Sequence, residues 1–100
     1  MIDEGKLHQE TARAIQAEGA LNNDIIREAF ATLEQSYIEA WKSTTIEDVT
    51  GREKLFLAIN VVGKVKQHLQ AVVNDGKLAA HQLRELAQTA EREKRWQDAQ

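Results

Sequence analysis

The sequence predicts an all-α fold, namely a small antiparallel bundle of three core helices with an N-terminal helical arm. Proline, which interrupts helices, is absent from the 100 residues. Residues 55–62 are apolar on nearly every side of a helix, so this segment must be covered from several directions. Elsewhere apolar residues recur at spacings of three and four, the period of an amphipathic helix.

A chain of this length forms one domain with one modest core. We divide residues 1–100 into an arm at 1–20, a bundle core at 23–90 and a projecting helical tail at 91–100. Cysteine is absent, which excludes disulfides and thiolate metal sites. No stretch approaches the roughly 20 apolar residues that cross a bilayer, and the acidic N-terminus lacks a signal-peptide core. We therefore expect a soluble protein that starts its life in the cytoplasm.

The arm is predicted to be helical over residues 2–18, although it offers few large hydrophobic side chains. The residues at helical spacing are Leu7, Thr11, Ala14 or Ile15, and Glu18. Gly19 marks the end of this segment. We expect the arm to lie on the bundle or on a neighbouring molecule.

The next helix begins at Leu21-Asn22-Asn23-Asp24, where Asn or Asp can cap it, and runs to about Lys42. Its apolar stripe is about 120° wide, which is typical of a helix that faces a core. The members of the stripe are Ile26, Ala29, Phe30, Leu33, Tyr37, Ala40 and Trp41.

Residues 43–50 connect this helix to the next and contain two capping-box patterns. Thr44 precedes Glu47 by three residues, and Thr50 precedes Glu53 by three. These patterns predict a short turn of helix at 46–49 and a main helix that begins near Gly51.

The main helix is predicted over about 51–74. Its core stripe is Leu55, Ala58, Val62, Val65, Leu69 and Val72. We expect Val62, Val65 and Leu69 to be buried between Phe30/Leu33 and Leu83/Leu86. Gly63 is interpreted either as a site where another backbone approaches closely or as a glycine that the helix simply tolerates. Asn74-Asp75-Gly76 is typical of a helix end followed by a turn.

The last helix is predicted over about 78–97, with a stripe of Ala79, Leu83, Leu86 and Ala90. Polar residues take over the stripe beyond Ala90, so the final turns should project from the core.

Enzyme chemistry and cofactors are not expected. The three histidines, His8, His68 and His81, do not pair at a spacing of four, and His81 with Glu85 alone makes a poor metal site. Neither serine lies in a nucleophile elbow, and no glycine-rich phosphate loop is present. We therefore predict no catalytic, cofactor-binding or metal-binding residues.

Charge argues against nucleic acid as the partner. Arg92, Lys94 and Arg95 lie in the tail, but glutamates are interspersed among them and the net charge is −3. Residues 1–50 carry four basic and ten acidic residues, whereas residues 51–100 carry nine and six. This asymmetry can orient the molecule against a partner or a second copy, or it can simply be a solvated surface.

Two groups of residues are predicted to bind a protein partner. The first is Phe56 with Leu57, because residues 55–61 are apolar on more sides than two helices can cover. Either the N-terminal arm or another chain must cover them, and we favour another chain. The second is Trp96 with Arg92 and Arg95, since Trp and Arg are enriched in interface hot spots. The alternative for Trp96 is an ordinary surface residue. Trp41, by contrast, continues the apolar stripe of its helix and is expected to be a core or lid residue.

One pattern of residues resembles that of a known group of proteins. It comprises Tyr37-Ile38-Glu39-Ala40-Trp41, Thr44-Thr45, Asp48 and Arg52-Glu53-Lys54-Leu55, followed by a long apolar helix and Asn74-Asp75-Gly76. Over residues 30–85 the chain resembles small uncharacterised all-helical proteins encoded among the virion genes of tailed phages and prophages. The resemblance implies a phage origin and a structural or assembly role, and it carries over no functional residues.

The leading hypothesis is therefore a non-enzymatic helical protein–protein interaction module. In a phage it would be a virion structural or assembly component that self-associates or docks on larger virion proteins. The rival hypothesis is a phage-encoded regulatory binder, either a small inhibitor protein or a DNA-packaging factor. The expected location is the host-cell cytoplasm or the virion, and no membrane and no small-molecule substrate are expected.

Overall fold

The computed structural model describes residues 2–99, which fold into three α-helices without a strand. The helices are α1 (Glu4–Asn22), α2 (Asp24–Lys42) and α3 (Val49–Asp98). This confirms the predicted all-α class. The helices contribute to two compact units, one formed by α1 up to Ala17 with α3 from Ala71 onward, the other by Glu18–Gln70.

In the first unit, small side chains let α1 and α3 pack closely. The buried apolar residues are Leu7, Ala14 and Ala17 on α1 and Val73 and Ala79 on α3. Gly76 is buried among them, and a Cβ placed on it would overlap the Cβ of Ala14 and lie 2.8 Å from the carbonyl oxygen of Glu10. Of the two alternatives for the arm stripe, Ala14 is buried and Ile15 is exposed. The arm is therefore a packed helix of this unit.

The predicted turn at Asn74-Asp75-Gly76 is wrong, because all three residues lie inside α3. The segments predicted as separate helices at 51–74 and 78–97 form one helix of 50 residues. Gly76 has a packing role instead, since only a residue without a side chain leaves room for α1. Gly63 was expected to have that role, but a Cβ there would meet nothing within 4 Å.

In the second unit, α2 begins and ends where the sequence predicts. Asn23 is its N-cap, and the Asn23 Oδ1 accepts the backbone N–H of Ile26 at 3.1 Å. The helix ends at Lys42. None of its residues is fully buried, although Phe30, Tyr37 and Trp41 are half-buried.

The connector differs from the prediction, because residues 43–48 form no helix and α3 begins at Val49. The cap is Asp48, whose Oδ1 accepts the N–H of Gly51 at 3.1 Å. Thr50 is already inside the helix. The hydroxyl of Thr44 donates to the Trp41 carbonyl at 2.6 Å, which takes it away from the predicted capping box.

The core stripe of α3 in this unit is only partly covered. Val62 is buried as predicted and Leu69 is half-buried, whereas Val65 is exposed, contrary to prediction. The predicted packing of this stripe against Leu83 and Leu86 required a turn at residues 74–76, and no such turn exists. A salt bridge between Lys66 Nζ and Glu34 Oε1, 3.1 Å long, joins α3 to α2.

Candidate functional site

The predicted partner-binding residues form two surfaces, one in each unit. Phe56 and Leu57 belong to the second unit, and we name their surroundings the Phe56 surface, which consists of Trp41, Arg52, Glu53, Phe56 and Leu57. The residues of the tail belong to the first unit, and we name their surroundings the tail surface, which consists of Arg92, Glu93, Trp96 and Gln97.

The Phe56 surface is a shallow apolar concavity of about 420 Å³ at the end of the second unit where α2 leads into α3. Phe56 and Leu57 are 60% and 62% exposed, and half-buried Trp41 completes the apolar wall. Arg52 and Glu53, which carry opposite charges, also line it. Such a surface can receive an apolar side chain while its polar edge pairs with polar groups around that side chain.

Arg52 holds Trp41 in position. Its guanidinium carbon lies 4.8 Å from the centroid of the Trp41 ring, which is a cation–π contact. Its Nη1 also donates to the Thr44 hydroxyl at 2.9 Å. Sequence reasoning predicted Trp41 to be a core or lid residue and did not predict its contact with Arg52, because that contact depends on how the connector brings α3 back along α2.

The tail surface is built on one face of α3. Arg92 and Trp96 share a concavity of about 420 Å³ with Glu93 and Gln97, and Trp96 is 66% exposed. Arg95 Nη2 donates to Glu91 Oε1 at 2.8 Å within the same helix. An acidic partner of Arg95 would therefore have to replace or join Glu91, whereas Trp96 is open to contact.

Charge is distributed differently in the fold than along the sequence. The first unit contains seven basic and eight acidic residues, a net charge of −1, and the second contains six and eight, a net charge of −2. The difference between the two halves of the sequence thus becomes a difference between helices that pack together within a unit.

The described part of the chain contains neither a cluster of metal ligands nor a membrane-spanning helix. Among residues 2–99 no group of three or more His, Cys, Asp or Glu side chains could hold a metal ion. His81 Nε2 lies 3.0 Å from Glu85 Oε1, and both side chains are exposed. Within the same residues, none of the helices combines the length and apolar character of a membrane span.

Comparison with protein-family models, with curated proteins and with solved structures found no match to this chain. The two surfaces are accordingly interpreted from the physical chemistry of their own residues.

Proposed function

We propose that this protein is a non-enzymatic helical protein–protein interaction module, and that its setting is a phage virion, as a structural or assembly component. One observation carries the proposal: Phe56 and Leu57, two adjacent large apolar residues, are both more than half exposed beside Trp41. The compact bundle that the sequence predicts is, in this proposal, completed by association with another chain.

The energetics favour a docking role for the Phe56 surface. Removing apolar area from water contributes about 25 cal/mol per Å², so covering two large side chains yields a few kcal/mol. Trp41 is already held by Arg52, and a pre-positioned aromatic ring loses little side-chain entropy on binding. Aromatic residues beside arginine are the composition of interface hot spots.

The phage setting is supported by where the resemblance falls. Trp41, Arg52 and Glu53 belong both to the residue pattern shared with phage-encoded proteins and to the Phe56 surface. A larger virion protein that presents an apolar side chain ringed by polar groups is the partner that fits this surface.

Mass spectrometry of purified particles tests the proposal. The wild-type protein should be found in virions at a constant copy number, and Phe56→Ser should be depleted from them. The matched control is Leu78→Ser, because Leu78 is equally exposed at 59% but lies in the other unit. A wild-type protein that is absent from particles and abundant early after infection would instead favour the regulatory binder.

A further inference from the structure

The second unit has one polar edge and one apolar edge. Two contacts join α2 to α3, the Glu34–Lys66 salt bridge and the Trp41–Arg52 cation–π pair. As the residue number rises on α2, from 34 to 41, that of its partner on α3 falls, from 66 to 52. The two helices are therefore antiparallel.

The registers of the two helices place both contacts on the same edge. At about 100° per residue, Lys66 and Arg52 lie on one side of the direction marked by buried Val62 on α3. Glu34 and Trp41 likewise lie on one side of the direction marked by half-buried Phe30 on α2.

The opposite edge of the pair is apolar and open. Leu33 on α2 and Val61 and Val65 on α3 turn to that edge, and they are 43%, 58% and 45% exposed. We name it the open face, and it consists of Ala29, Leu33, Val61 and Val65. Ala29 is exposed as well. Two such helix pairs that pack through their apolar edges would make a four-helix bundle.

From this face we infer that two copies of the chain associate through it to form an antiparallel four-helix bundle, in which α2 of each copy packs on α3 of the other. The inference rests on the proposed function, since it names one partner of an interaction module. The proposed dimer contact uses a different surface from the Phe56 surface, because Phe56 lies on the far side of α3 from Val61.

The two helices carry opposite net charges, which favours a second copy as the occupant of the open face, while the acidic side chains of α2 themselves lie on its other faces. Two basic and four acidic residues give α2 a net charge of −2, and four basic and one acidic residue give residues 49–70 of α3 a net charge of +3. A two-fold axis parallel to the helices sets each α2 against the α3 of opposite charge in the other copy. The same operation keeps every neighbouring pair of helices antiparallel.

The area is sufficient for a specific contact. With 19 residues α2 is about 28 Å long, and two helices side by side are about 20 Å wide. The open face therefore has a footprint on the order of 600 Å² per copy, which reaches the lower end of specific interfaces at about 1,200 Å² in total. We expect a dimer that forms reversibly at micromolar concentrations.

Sedimentation equilibrium tests the association. The wild-type chain of 11.3 kDa should move to twice that mass as its concentration rises. Val61→Glu should remain monomeric with unchanged helical circular dichroism, because Val61 is exposed in the single chain. The control Phe56→Ser should dimerise like the wild type.

Disulfide trapping tests the geometry, since the chain has no cysteine of its own. The salt bridge and the Trp41–Arg52 contact set Leu33 level with the part of α3 between residues 60 and 67, which includes Val65, so the two-fold axis brings Leu33 of one copy close to Val65 of the other. A mixture of the single variants Leu33→Cys and Val65→Cys should form the mixed disulfide faster than either variant forms its own.

Either of two results would overturn the inference. The first is a chain that stays at 11.3 kDa at several hundred micromolar, and the second is a disulfide that forms fastest between two copies of Leu33→Cys. If the chain is monomeric and Phe56→Ser is nevertheless depleted from virions, the inference fails while the proposed function stands.

Discussion

Gly76 on α3 lies against Ala14 on α1 so closely that a methyl group on Gly76 would overlap the Cβ of Ala14. The carbonyl oxygen of Glu10 would lie 2.8 Å from the same methyl group. Backbone as well as side-chain atoms of α1 thus occupy the space beside Gly76. Close packing of this kind stabilises the first unit through dispersion contacts that a longer side chain would prevent.

Gly76→Ala should destabilise the protein by about 1–3 kcal/mol, the usual cost of overpacking, in spite of the better helix propensity of alanine. The matched control is Gly63→Ala in the same helix, where a Cβ meets nothing within 4 Å. Gly63→Ala should stabilise by up to about 1 kcal/mol. Urea unfolding followed by circular dichroism measures both, and equal effects of the two variants would contradict the close approach.

The start of α3 offers a second pair of variants. Asp48→Ala should cost about 0.5–2 kcal/mol, because the N–H of Gly51 loses its carboxylate acceptor. Asp48→Asn should retain most of the stability, since Asn is an equally good cap. Thr50→Ala, which would be the damaging change if the sequence-predicted capping box existed, should have little effect. The comparison is made by thermal unfolding at one protein concentration.

Sequence reasoning succeeded where the signal is local. The start of α2 at Asn23 and its end at Lys42 follow from capping chemistry and apolar periodicity, which involve neighbouring residues only. The same reasoning misread Asn74-Asp75-Gly76, because a glycine occurs both at helix ends and at positions that another part of the chain approaches closely. The choice between them depends on α1, more than 50 residues earlier in the chain.

The candidate site was predictable only in part, because some of its features are local in the sequence and others depend on distant residues. An excess of apolar residues around Phe56 and Leu57 is visible in the sequence, and both residues are exposed. The role of Arg52 was not visible, since it requires the path of the connector and the position of the Trp41 ring. The open face likewise required the pairing of Glu34 with Lys66 to establish which edges of α2 and α3 coincide.

Arg52 should contribute to stability and to the shape of the Phe56 surface. Arg52→Ala removes a cation–π contact worth about 0.5–1 kcal/mol and a hydrogen bond to Thr44 of about the same value. Arg52→Lys keeps the charge but loses the flat guanidinium, so it should recover only part of that stability. A double-mutant cycle with Trp41→Leu measures the coupling energy between Arg52 and Trp41. A coupling energy near zero would show that their contact does not contribute to stability.

The tail should be dispensable for folding and needed for association through the tail surface. The last buried residue of α3 is Ala79, and every described residue beyond Leu86 is exposed. Deletion of residues 91–100 should therefore leave the midpoint of thermal unfolding nearly unchanged. Dimerisation through the open face should also survive, whereas incorporation into virions should fall if Trp96 is an anchor.

Fluorescence reports on Trp96 directly, because Trp41 is the only other tryptophan and can be replaced by Phe. In the Trp41→Phe protein the emission of Trp96 should be that of a solvated indole, and it should shift to shorter wavelength when the tail is covered by a partner. The side chain is 66% exposed, so Trp96→Ala leaves no cavity and should not alter stability. If Trp96→Ala, the deletion variant and the wild type are incorporated into virions equally, Trp96 is an ordinary surface residue.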